Sequence, residues 1–104
     1  MMRLLQFMVD NQKLTRNGDF SHIIRGTKGY LRCFFEFHGN EWTNCNIVAI
    51  FEKGSEEFYE RVSQNGMCKV PDEVTDNASF RVKLVGARNN IRLVTNKILI
   101  SQEG

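Results

Sequence analysis

The chain reads as an all-β protein: an antiparallel β-sandwich of about seven to nine strands, with a small closed barrel as the alternative. Three observations carry this reading. In Tyr30-Leu31-Arg32-Cys33-Phe34-Phe35-Glu36-Phe37, the residues Leu31, Cys33, Phe35 and Phe37 fall on one side of an extended chain and Arg32 and Glu36 on the other. That two-residue period belongs to a half-buried strand, and its rings suit a pleated surface. Similar apolar runs recur roughly every ten residues along the chain. Between them stand Asn17-Gly18-Asp19, His38-Gly39-Asn40, Lys53-Gly54-Ser55 and Gln64-Asn65-Gly66, each offering a residue that tolerates positive φ.

The first run, Met1 to Val9, resembles the start of a secretion leader, but Asp10, Asn11 and Gln12 cut it short and no small-residue cleavage site follows. It is read as a first strand over 4–9, with weaker candidates at 13–16 and 20–25. The strand at 30–37 follows. Residues 46–52 are apolar on both faces, since Ile47, Ala49 and Phe51 alternate with Val48 and Ile50, so this strand belongs in the middle of a sheet. Runs at 57–62 and 67–70 come next, with Gly54 and Gly66 as expected hairpin turns. After Pro71, Asp72 to Asp76 suits one helical turn. At 80–86, Phe80, Val82 and Leu84 face inward and Arg81 and Lys83 outward. The last run, 91–100, changes apolar phase near Thr95-Asn96, predicting a bulge or a turn between two short strands.

A chain of 104 residues, 41% hydrophobic and 25% charged with a single proline, suits one globular domain over 1–104. Its longest apolar stretch is too short to span a bilayer, so no membrane partner is expected. Cys33, Cys45 and Cys68 form no CxxC pair and are odd in number, which suits synthesis in a reducing cytosol. The order Cys33, Trp42, Cys68 invites comparison with an immunoglobulin domain. The interval is too short and Gly66 occupies the corner-tyrosine position, so the disulfide is not expected while the sandwich is retained. Trp42 is read as a core anchor.

Chemistry-bearing patterns are weak. His22 and His38 match no metal-ligand spacing with the cysteines, and no metal or cofactor is expected. Ser21-His22, Glu56-Glu57 and Asp72-Glu73 are neighbours in sequence, but adjacent strand residues point apart, and no catalytic residues are assigned. Gly86-Ala87-Arg88-Asn89-Asn90 lacks the glycine spacing of a phosphate loop. The expectation is a non-enzymatic protein.

Charge is distributed unevenly although the net value is only +2. Residues 52–76 hold seven acids against three bases, and 77–104 hold five bases against Glu103. Nucleic-acid binding is not the expectation, because the basic segment has Phe80 as its one ring, in the inward phase. The candidate interaction surface comprises Phe34, the odd aromatic on the polar side of its strand, with Arg81, Lys83, Arg88 and Arg92, and with Glu56, Glu57 and Glu60. The acidic region of one copy would meet the basic region of another.

In order, Tyr30-Leu31 with Cys33, Phe35 and Phe37, then Trp42, Ala49-x-Phe51, Phe58-Tyr59, Cys68-x-Val70-Pro71-x-Glu73-Val74, Phe80-x-Val82-x-Leu84-x-Gly86 and Thr95-Asn96 resemble small phage and prophage structural domains of Gram-positive hosts. These are similar to the N-terminal attachment domains of tail-fibre or baseplate proteins. Where the family often carries an aromatic, this chain has Asp72. The resemblance implies a virion structural protein of the tail, baseplate or capsid, made in the host bacterial cytoplasm and placed in the virion. Its partners would be other virion subunits or itself, as a homo-oligomer. The alternative is a small regulatory binding module, a single-stranded nucleic-acid binder or host-factor inhibitor.

Overall fold

A computed structural model describes residues 2–104; Met1, the first residue of the leader-like run, lies outside them. Among the described residues nine strands form: β1 (Arg3–Asp10), β2 (Lys13–Arg16), β3 (Leu31–His38), β4 (Asn46–Lys53), β5 (Glu56–Arg61), β6 (Met67–Lys69), β7 (Ser79–Arg88), β8 (Ile91–Val94) and β9 (Ile98–Ser101). Asp72–Val74 makes the expected helical turn after Pro71, as a 3₁₀ turn. A first sheet has the order β2-β1-β3-β6. The second runs β5-β4-β7-β8, with β9 also paired to β7. The two open sheets make a sandwich and not a barrel.

One pair departs from the antiparallel expectation. β1 and β3 run parallel, from Arg3 beside Leu31 to Asp10 beside His38, because the excursion between β2 and β3 returns the chain to the start of β1. Alternation fixes which side chains face inward but carries no strand direction. The weak candidate at 20–25 forms no sheet strand; Ile24 makes a single bridge to Glu103 while Ile23 enters the core and Phe20 meets Phe7 edge-on at 5.2 Å. Gly54 does turn the β4–β5 hairpin, at φ 60°. Gly66 does not make a hairpin of paired strands, since β5 and β6 lie in different sheets. Its turn, closed by Gly66 N–H to Ser63 O at 2.9 Å, carries the chain from one layer to the other.

Between the layers, Phe7 and Phe35 stack at 5.0 Å as neighbours in register, with Phe51, Leu84 and Ile100 also fully buried. Each fully buried ring or branched chain contributes about 1.5–3 kcal/mol before entropy is subtracted. β4 is central, as its two apolar faces require, with β5 on one side and β7 on the other.

The phase change at Thr95-Asn96 is a break between β8 and β9. Thr95 stays in the ladder with its side chain: its hydroxyl accepts the Leu84 N–H at 2.9 Å and donates to Asn96 O at 2.8 Å. Asn96 reaches across to the first sheet, accepting the Leu14 N–H at 2.7 Å and donating to the Leu14 carbonyl at 3.0 Å. Its amide thus mimics a strand pairing and, with Gln12 Nε2 donating to Val94 O at 3.0 Å, fastens the layers along one edge.

Candidate interaction surface

On the outer face of the second sheet, register places Val48 between Val85 on β7 and Arg61 on β5, and Val94 beyond Val85. One step along, Ile50 lies between Tyr59 and Lys83; a further step puts Glu52 between Glu57 and Arg81, with Leu99 beyond. Val48, Ile50, Val85 and Val94 are each half-buried, while Tyr59 and Leu99 are exposed at 62% and 46%. A contiguous apolar centre therefore lies open on this face. Its β-branched side chains have few rotamers to lose on contact, unlike Met8 and Met67, which stand with Leu4 and Phe34 outside the first sheet.

The rim of the face is charged and internally bonded. Lys97 Nζ stands 2.8 Å from Glu52 Oε2. That hydrogen-bonded ammonium holds the Glu52 carboxyl below the usual carboxylate range against the opposing push of burial. The Tyr59 hydroxyl donates to Glu57 Oε1 at 2.9 Å, which pushes the phenol above its ordinary value. Elsewhere Lys28 bonds Asp76 at 2.9 Å and Lys53 faces Glu56 at 3.8 Å. Part of the acidic–basic asymmetry of the sequence is thus satisfied within one chain.

The eight expected surface residues do not gather in one place. Arg81, Lys83, Arg92 and Glu57 share the outer face of the second sheet. Glu56 and Glu60 occupy the opposite phase of β5, and Glu60 lines a separate cleft with Arg32 and Lys69. Arg88 is structural: its guanidinium donates to the carbonyls of Glu41 and, at 3.1 Å, Thr43, and lies 3.3 Å from Cys45 Sγ, bracing the loop between β3 and β4. Phe34 lies on the outer face of the other sheet, half-buried between Gln6 and Met67 in register. Val48, Ile50, Val85, Val94 and Tyr59 are absent from the expected set. The signal for two of them is the doubly apolar β4, which marks a central strand and an apolar exterior at once.

A second concavity, of about 650 Å³, opens at one end of the sandwich between the β3–β4 loop and the turn after β5. Phe37, Trp42, Ile47 and Val62 line it, with Cys45 and Arg61. Trp42 is 4% exposed, and its indole donates to Asn11 O at 2.6 Å, as befits a core anchor. The described residues bring no three His, Cys, Asp or Glu side chains together in a metal-binding group. His22 faces Glu103 at 3.2 Å and His38 faces Glu36 at 2.7 Å, both at exposed positions. No helix among the described residues is long and apolar enough to cross a membrane.

Comparison with protein-family models finds no match, and comparison with curated proteins and with solved structures finds none either.

Proposed function

We propose that this protein is a non-enzymatic structural component of a phage or prophage virion, working by self-association through the outer face of its second sheet. The observation that carries this reading is the open centre formed by Val48, Ile50, Val85 and Val94 within a charged rim. The face is self-complementary. A two-fold axis parallel to the strands, between β4 and β7, lays Val48 of one copy over Val85 of the other and Glu52 over Arg81. Residues that carry the resemblance to phage structural domains, such as Leu31, Phe35, Trp42, Phe51, Val82 and Leu84, are buried. Others, Tyr30 and Tyr59, are exposed at 41% and 62%, so the residues of the resemblance supply both core and surface, which suits a structural unit that presents a surface.

Light scattering on the eluted protein tests this. Mass should rise with concentration for the wild type, whereas Val85→Glu should remain a monomer with an unchanged β spectrum. Named bases on this face, Arg61, Arg81, Lys83, Arg92 and Lys97, outnumber the acids Glu52 and Glu57, so long-range repulsion between copies outweighs the paired attraction. Raising salt from about 50 to about 300 mM should therefore strengthen association. A wild type monomeric throughout, or association indifferent to Val85→Glu, would overturn the proposal.

A further inference from the structure

We infer that Cys33 and Cys68 form an oxidative modification site: a dithiol that closes to a disulfide within the native first sheet on meeting a two-electron oxidant such as hydrogen peroxide. The two residues are partners in register on antiparallel β3 and β6. Phe35 N–H to Gly66 O at 2.9 Å and Val70 N–H to Leu31 O at 3.2 Å flank them in the same phase, making theirs a hydrogen-bonded position. Cα atoms at such positions stand about 5.5 Å apart, inside the span of roughly 4.4–6.8 Å that a disulfide bridges, and the Cβ atoms, about 5.5 Å apart, must draw together by about 1 Å, a movement that falls to the short edge strand β6. Both side chains point to the core, 1% and 7% exposed, and both thiols are free.

In the closed sheet the pair is unreactive. A hydrogen bond between the thiols, together with burial, pushes the Cys33 thiol well above its ordinary range, so little thiolate is present. Access comes from β6, a three-residue edge strand whose one sheet neighbour is β3. Opening so short an element costs less than global unfolding. Cys68 then attacks one peroxide oxygen as thiolate, the O–O bond breaks, and the products are a sulfenic acid and water. As β6 returns, and before Cys33 is shielded again, the Cys33 thiolate attacks the Cys68 sulfur, the S–O bond breaks and the leaving oxygen takes up protons as a second water. Two thiols have lost two electrons and two protons to one peroxide. Cys45, on the β3–β4 loop beside Arg88, takes no part.

The test treats the Cys45→Ser protein with hydrogen peroxide under native conditions and maps its peptides. The expected result is a loss of 2 Da, a Cys33–Cys68 cross-linked peptide, a monomeric band without reductant, and a Tm higher by on the order of 10 °C, all reversed by dithiothreitol. Should Cys45→Ser fold poorly, the same peptide map on the wild-type chain decides. Unchanged mass, oxygen adducts in place of the cross-link, or a lower Tm after cross-linking would overturn the inference. In Cys45→Ser/Cys68→Ser, both the 2 Da loss and the stabilisation should vanish.

Discussion

Gly86 shows how one missing side chain positions another. A Cβ there would stand 2.7 Å from Trp42 Cζ3 and 2.8 Å from Cε3, and the indole cannot swing away without losing its bond to Asn11 O. Gly86→Ala should therefore destabilise the fold by about 1–3 kcal/mol, read from chemical denaturation with tryptophan fluorescence as the probe. Glu52 gives a second prediction. Its carboxyl is held low by the Lys97 hydrogen bond, so this pairing contributes stability that is complete above the unfolded value, about pH 4.3, and is lost as pH falls through the folded value. Lys97→Met should raise the Glu52 pKa, measured by NMR titration of the side-chain carbonyl, and remove that part of the acid sensitivity. Trp42 as an anchor was legible from its residue type and place. Arg88 was not, because its partners are loop carbonyls that only the folded backbone brings within reach.

At the scale of elements, two-residue alternation located the strands closely: 46–52 is β4 (Asn46–Lys53) and 80–86 is β7 (Ser79–Arg88). It also located the break in the last run. Direction and layer were invisible, since side-chain phase is identical in parallel and antiparallel strands and a glycine turn does not declare whether it joins neighbours or crosses between sheets. β1 against β3 and the Gly66 turn are the two consequences. Asn96 illustrates a contact that sequence spacing conceals, joining residues 82 positions apart. Asn96→Ala would strand the Leu14 N–H and carbonyl, so stability should fall by about 2 kcal/mol in urea unfolding. The Leu14 amide should also exchange faster with deuterium. Asn96→Asp, which accepts from Leu14 N–H but cannot donate to its carbonyl, should recover only part of the loss.

For the whole molecule, the sandwich places a rigid apolar field on one exterior and a more flexible, methionine-bearing one on the other. The sequence separates acids from bases, and the fold joins the two segments through Lys97–Glu52, while Lys28 and Lys53 pair with Asp76 and Glu56 of the acidic segment. Charge runs were therefore an incomplete guide to the exterior, and the proposed contact rests on the apolar rows between the charges. Methyl NMR over a dilution series tests this most directly. The account predicts concentration-dependent shifts at Val48, Ile50, Val85 and Val94, with Leu4, Met8 and Met67 unmoved. Shifts confined to the methyls outside the first sheet, or none up to millimolar concentration, would contradict it.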